Sequence, residues 1–434
     1  MNFFNLYNRI RTRYNIVWSF SGIYFAFLST FKKTPRNIDF LFLCHDVHRH
    51  TIKNGKLYAP LIDPIIEELS ADFQCITLAT PFSKYFGNNC FGDVRNHNSI
   101  VLIAIIKRVL FQRSLSLVNI TNDPLITAYK KMLHIINPKI VIGIQPSVEF
   151  CIAAKELGIK TYDMQHGLIS DVNYYSLSKR KAFSQNGWPS FVLCWDQESA
   201  DRVTRITEGN VLPHIIGNPS YHSQFGNLLH KESKSTISNK NDLKIEILVT
   251  LTYLDYGQSN LDECYREVGI PTEVINLIND TPWIFWRLRL HPVQVRFHMD
   301  RIDGFLNNKF ITSSNVDWTT YSEVSMGAAL SGCHGHITVE SASALDAAQN
   351  KISTILIGCA GVSDKNKANL YFKEYIDSGM MMFENSSNFS LKSLDFFTKP
   401  STENINNKNR YERLNGNQEF KKFIKDIKRA TKYT

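Results

Sequence analysis

The chemistry of this chain is most legible in HGHITVESASALDAAQNKISTILIGCAG, residues 334–361. An apolar run, His336–Val339, ends at Glu340, and Ser341-Ala342-Ser343 opens a helical pattern leading to the next apolar run. Ligands of open parallel sheets bind at the carboxyl ends of strands, where a helix N-terminus offers unpaired N–H groups and positive dipole. Ser341 and Ser343 at such a point suit a phosphate, and Glu340 suits a pair of ribose hydroxyls. The plainer alternative is that one serine only caps the helix.

A second constellation is WRLRLHPVQ, residues 286–294. It brings Arg289, His291 and Pro292 to another strand end, and the proline biases the residue before it away from helix. A histidine there, as a cation or an N–H donor beside Arg287 or Arg289, would stabilise or protonate a leaving phosphate. In the first half, Gln165-His166-Gly167 follows a strand pattern, with Gly167 permitting close backbone approach to a ligand. His45-Asp46, trailed by His48, Arg49 and His50, ends the first strand pattern. His166, Asp46 or His45 could take a proton from an acceptor hydroxyl; each also reads as an ordinary capped loop residue.

These residues need strands and helices to hold them. Ile38–Cys44 is a continuous apolar run of the kind buried on both faces of a parallel sheet. Strand patterns follow at 73–79, 139–145, 159–164, 191–195 and 214–216, with helical patterns after Pro60, around 100–111 and 124–136, and at 148–157. Residues 226–243 are rich in Ser, Asn and Lys, as in an interdomain linker. A second series begins at 245–253 and continues through strands at 283–290, 310–312, 336–339 and 353–357. Its helices fall at 273–279, 321–330 and 342–349, and a basic helix is expected at 418–431. The pattern predicts an α/β protein of two Rossmann-like domains: a first domain over 37–225, a linker over 226–243 and a second domain over 244–400. Flanking them are a basic, aromatic segment at 1–36 and a basic C-terminal helix within 401–434.

The 434 residues carry a formal net charge of +9. Residues 1–36 hold six Lys/Arg and no acid, and residues 401–434 hold nine Lys/Arg against four acids. The body between them is therefore close to neutral, at −2. That excludes the basic folded surface of a nucleic-acid-binding domain and points to termini that touch an anionic surface. The eight cysteines are scattered without a CxxC pair, which suits a reducing cytoplasm and neither a disulfide framework nor a zinc site. Tyr14–Phe31 is apolar and aromatic but diluted by Asn15, Ser19, Ser21, Ser29 and Thr30. It reads as a segment lying in the headgroup region or a helix packed on the body, and less well as a span. No GxxxxGK[ST], HExxH, GxSxG or early GxGxxG occurs, which argues against P-loop hydrolysis and nicotinamide chemistry. With no Asp-x-Asp pair, neither a metal nor another cofactor is expected.

On these motifs the chain resembles the GT-B glycosyltransferases. More narrowly, it is similar to bacterial surface-polysaccharide enzymes with an HP motif and a downstream Ser motif: sialyl-, polysialyl- and Kdo-transferases and CDP-glycerol glycerophosphotransferases. The residues carrying the likeness are Gln165-His166-Gly167, Arg289-Leu290-His291-Pro292 and Glu340-Ser341-Ala342-Ser343. The resemblance implies two domains facing across a cleft, with the donor's phosphate met by His291, Ser341 and Ser343. It implies His166 as base if the polyol-phosphate enzymes are the guide. Sialyltransferases instead use an acid in a D/E-D-G motif, which this chain lacks; Asp46 is the substitute. The Ser pair also departs from the pattern, being separated by Ala342.

The function so implied is transfer of a sugar from a nucleotide-activated donor to a lipid-linked O-antigen or capsule acceptor, at the inner face of a bacterial plasma membrane. The alternatives are polyol-phosphate transfer, a UDP-sugar epimerase, and a non-enzymatic polysaccharide assembly or export protein. The expected partners are the donor, a glycan acceptor and an anionic membrane, with no nucleic acid. If the 1–36 segment lies on a membrane rather than through it, alkaline carbonate will extract the full-length protein from membranes; retention in the pellet would make it a span.

Overall fold

The run FLFLC forms the first strand, β1 (Phe40–Cys44), and its alternation sends Phe40, Phe42 and Cys44 to one face and Leu41 and Leu43 to the other. Both faces are covered, which is why the run is apolar throughout. The structure, a computed structural model, describes residues 35–49, 51–81, 87–111, 123–169, 187–221, 245–253, 262–311, 313–324, 326–339, 341–359, 364–398 and 417–432. Most of the 1–36 segment, the whole 226–243 linker and Glu340 lie outside the described residues.

After β1 come a hairpin, β2 (Thr51–Lys53) and β3 (Lys56–Tyr58), then α1 (Asp63–Leu69), β4 (Cys75–Ala79), β5 (Val94–Arg95), α2 (Asn98–Phe111) and α3 (Pro124–Ile136). They are followed by β6 (Ile140–Gly143), α4 (Val148–Glu156), β7 (Lys160–Met164), β8 (Phe191–Cys194), α5 (Gln197–Ile206) and β9 (Leu212–Ile215). Seven strands form one parallel sheet in the order β5-β4-β1-β6-β7-β8-β9. The order reverses between β1 and β6, which makes their carboxyl ends a topological switch point.

The second series runs β10 (Ile245–Thr250), α6 (Glu263–Val268), α7 (Thr272–Asp280), β11 (Ile284–Arg289), α8 (Pro292–Phe297), α9 (Met299–Lys309), β12 (Val316–Asp317), α10 (Thr319–Glu323) and α11 (Met326–Leu330). It continues with β13 (Gly335–Thr338), α12 (Ser343–Gln349), β14 (Thr354–Gly358), α13 (Lys365–Asp377) and β15 (Met381–Asn385). The sheet is again parallel, ordered β12-β11-β10-β13-β14-β15, with its switch point between β10 and β13. Ile247 and Val249 enter the larger core cluster, while Leu248 points the other way against Ala329, Leu330 and Ala347.

Two sequence expectations are corrected here. Of the strand expected at 310–312, the described residues 310 and 311 form none, because Phe310 closes α9 with its amide bonded to the Leu306 carbonyl; the edge strand is Val316–Asp317. The helix expected over 321–330 is two short helices, α10 and α11. Arg289 accounts for the break, since its Nη1 donates to the carbonyls of Tyr321 (2.5 Å) and Val324 (2.6 Å).

The basic C-terminal helix forms as α14 (Asn417–Lys432), but it is no free tail. Phe420, Phe423, Ile424 and Ile427 are buried with Phe40, Phe42, Ile65 and Leu69, and Lys428 Nζ donates to Asp72 at 2.8 Å. The molecule accordingly divides into two units: Met1–His222 with Asn415–Thr434, and Ser223–Leu414. No described helix is long and apolar enough to cross a membrane.

On the opposite face of the first sheet, three helices meet on one buried cation. Asp123 caps α3, accepting from Leu125 N at 2.8 Å. Arg108 of α2 bridges Asp123 at 3.0 Å and Glu149 of α4 at 3.2 Å, all three side chains being buried. Removing the guanidinium strands two carboxylates in a dry environment. Arg108→Met should therefore lower the stability of the first unit by about 3–5 kcal/mol in urea denaturation; a loss below about 1 kcal/mol would show that the ion cluster is not holding these helices together.

Candidate functional site

In the first unit the predicted residues gather at the strand ends beside the switch point. His45 follows β1, and Asp46–His48 make one turn of 3₁₀ helix, so His45 and His48 are three residues apart on a single turn. The loop is pinned beneath by Arg49, which is buried and reaches Asp63 Oδ2 at 3.1 Å, while Asp63 also accepts from Ala59 N at 2.7 Å. Burial pushes the Asp63 carboxyl up to about 6 despite its arginine.

His166 follows β7 and is aimed by Gln165. The Gln165 amide is buried, accepting from Trp195 N at 2.8 Å and donating to Gly167 O and Ser199 Oγ at 3.0 Å each. The His48 and His166 rings lie 5.4 Å apart, and those of His45 and His48 6.3 Å apart, both edge-on. The structure thus brings His45, Asp46, His48 and His166 into one loop cluster. His48 carried a signal in the sequence, the HDVH spacing, that marks it as the cluster's middle ring. Gly167 is not demanded by the fold: a Cβ there would meet nothing within 4 Å.

Burial lowers the pKa of His166 to about 4, with His45 as a secondary cause. His45 is also lowered by burial, opposed by hydrogen bonds to the backbone of Ile144 and by Asp46. Beside His45 a pocket of about 90 Å³ opens between the ends of β1, β4 and β6, lined also by Gln145, Ser147, Tyr129 and His97. His97 is buried, its pKa falls to about 4, and its Nδ1 meets no hydrogen-bonding partner in the structure.

In the second unit the HP motif folds as a cap. His291 is the N-cap of α8 with Pro292 at its first position. His291 Nδ1 accepts from Val293 N at 3.2 Å, and Gln294 Oε1 accepts from His291 N at 2.7 Å, a reciprocal capping box. An Nδ1 that accepts places the ring proton on Nε2. Burial lowers the pKa to about 4, so His291 is a neutral N–H donor at physiological pH, not a cation. Its ring stacks on Tyr253 at 5.9 Å, and Tyr253 stacks on His298 at 5.9 Å. Tyr253, at the end of β10, was not singled out in the sequence because no motif surrounds it. Its loop is seated by Gly269, whose φ is +83° and whose Cβ would lie 1.8 Å from the Thr252 carbonyl oxygen.

The remaining donor-site expectations separate. Arg289 is buried, and its Nη1 donates to the Tyr321 and Val324 carbonyls. Arg287 is likewise engaged, with Glu246 and the carbonyls of Ala329 (2.9 Å) and Ser331 (2.6 Å). Ser343 is buried, and its Oγ meets Thr250 Oγ1 at 2.7 Å. That hydroxyl extends to His336 Nε2 at 3.0 Å, and His336 Nδ1 to Thr354 Oγ1 at 3.1 Å. Ser343 is therefore a member of a buried chain across β10, β13 and β14. Ser341 is half-buried, and its Oγ accepts from Ser343 N at 3.2 Å in the turn that leads into α12. Among the described residues no group of three or more His, Cys, Asp or Glu side chains is arranged to hold a metal ion.

Two parallel, doubly wound sheets with strand-end polar groups are the fold of the GT-B enzymes. No family model matches the chain, and no curated protein matches it in sequence. Among solved structures it is similar to the UDP-GlcNAc 2-epimerase of Rickettsia bellii, at 12% identity and a TM-score of 0.54 over 92% of this chain and 98% of that one. It is similar also to the Neisseria meningitidis UDP-GlcNAc 2-epimerase bound to UDP-GlcNAc, at 12% and 0.52 over 90% and 100%. A third is the wall teichoic acid polymerase TagF, at 12% and 0.50 over 91% and 89%. All three are enzymes, and the likeness is one of fold.

Four histidines, His97 and His336 fully buried and His166 and His291 half-buried, have pKa values lowered to about 4, 3, 4 and 4 respectively. The unfolded chain binds their protons from about pH 6.5 downward and the folded chain does not, so stability is full above that pH and falls as pH drops toward 4. Each contributes a slope of about 1.4 kcal/mol per pH unit in that window. Urea denaturation should show a marked loss of stability between pH 7 and pH 5; an unchanged midpoint would mean these imidazoles are not held neutral.

Proposed function

We propose that the chain is a metal-independent glycosyltransferase. It moves a sugar from a nucleotide-activated donor to a glycan acceptor, the lipid-linked precursor of an O-antigen or capsule. The observation that carries this reading is His291: a strand-end imidazole whose capping bond and burial hold it neutral with the proton on Nε2. Such a donor hydrogen-bonds a leaving phosphate without changing protonation state, and it is pre-oriented by α8 before substrate arrives. The Ser341 hydroxyl, at the next strand end but one, supplies a second donor.

Displacement at the sugar also needs a base for the acceptor hydroxyl. The first unit supplies unprotonated imidazoles at neutral pH, and Asp46 stabilises the protonated form of its neighbour His45. The base is drawn from His166, His45 and Asp46, with His48 packed between the two rings. The fold comparisons favour a second reading, a UDP-sugar epimerase, because two of the similar structures carry that activity in their own right. An epimerase would alter the sugar with no acceptor present.

Thermal-shift titration with CMP, CDP, UDP, GDP and dTDP should single out one nucleotide, since ligand at 100-fold over its Kd stabilises by about 2.7 kcal/mol. His291→Ala should weaken that binding about tenfold or more, while His166→Ala should preserve it and lose turnover. A panel with no response removes the donor-site reading altogether. Acceptor-free conversion of UDP-GlcNAc to its C2 epimer would replace the transferase with the epimerase.

A further inference from the structure

The C-terminal helix has a second face that nothing in the proposed reaction uses. Its apolar stripe, Phe420, Phe423, Ile424 and Ile427, is buried in the first unit. Lys421, Lys425, Lys428 and Lys432 recur at helical spacing on one flank, with Arg429 beside them. These five side chains line an open groove of about 560 Å³ against α1, which adds one acid, Glu68. The helix's own acids, Glu419 and Asp426, fall on the other flank, where Asp426 faces His214 of β9. Among the described residues Lys428 forms a salt bridge, with Asp72 at 2.8 Å, and Lys432 also lies near enough to act on that carboxylate. The charge is thus sorted by face: six cations against two acids along one 16-residue helix, with the cations together.

We propose that this basic flank of α14 is a docking surface for an anionic lipid bilayer. Two observations favour a bilayer over other polyanions. Five of the six cations are lysine, a flexible point charge suited to a fluid array of headgroups, whereas bidentate recognition of individual phosphates uses arginine. The one aromatic in the groove's lining, Phe420, is 4% exposed and belongs to the buried stripe, so the flank presents no open ring face on which bases could stack. The structure also dictates how docking works. An interfacial amphipathic helix buries its apolar face among acyl chains. Here that face is already occupied by the domain, so attachment rests on charge alone and lies at headgroup level. It is therefore steeply salt-dependent, and it holds whichever reaction the strand-end residues perform.

The test is co-sedimentation of the full chain with vesicles of phosphatidylcholine alone and of phosphatidylcholine with 30 mol% phosphatidylglycerol, from 50 to 500 mM NaCl. Binding should require the anionic lipid and be lost at high salt. The triple change K421E/K425E/K432E should lower partitioning on the order of 100-fold, given the attraction of each basic residue near an anionic leaflet. It should leave the nucleotide response unchanged. The milder K421Q/K425Q/K432Q serves the same purpose should the reversal unfold the helix. Unchanged partitioning of either folded variant overturns the proposal and assigns binding to another part of the chain. Equal binding to neutral vesicles overturns it too, as does tight binding of a single-stranded RNA oligonucleotide in place of vesicles.

Discussion

A parallel sheet needs cover on both faces, and the first domain of this chain depends on how that requirement is met. On one side α2, α3 and α4 pack over Leu41, Ile76 and Val141, tied together by the Arg108 ion cluster. On the other, α1 alone is too short to shield Phe40, Phe42, Ile142 and Met164. The remaining cover comes from α14, contributed by sequence almost four hundred residues downstream. With both faces dry, the parallel strands deliver His45, Gln145 and His166 to one end of the sheet. The site geometry follows from the burial of strands whose own residues never touch a ligand.

The same dryness governs the chemistry. Burial lowers the pKa of His45 and His166 in the first sheet and of His291 and His336 in the second. A buried cation would need a paired anion, and the buried arginines that do exist are already committed to carboxylates or helix-end carbonyls. Among the imidazoles His291 has a fixed tautomer, its Nδ1 accepting from Val293 N.

The alternation of apolar runs made the two doubly wound halves legible, because a strand covered on both faces has no polar positions to blur the pattern. The HP and QHG motifs were legible as strand-end positions for the same reason. Their roles were less so. Arg289 and Ser343 look like ligand contacts in one dimension, but only packing shows that the first holds α10 and the second joins a chain through Thr250 and His336. The strands β2, β3, β5, β12 and β15 and the helix α13 escaped notice; the edge strands β5 and β12, of two residues each, carry no periodicity. The return of α14 to the first domain escaped for a different reason: an amphipathic helix declares a face to be buried but not against which partner.

That return has a consequence in time. Ribosomes release a chain N-terminus first, and domains ordinarily fold in that order. Here the second domain's strands, β10 to β15, are all synthesised before α14 exists. At about 5–20 residues per second, the first domain waits with Phe40 and Phe42 open to solvent for roughly 10–40 seconds after its last strand is made. The domain that is encoded first is therefore the one completed last. Its exposed aromatic face is the surface most in need of a chaperone during biosynthesis.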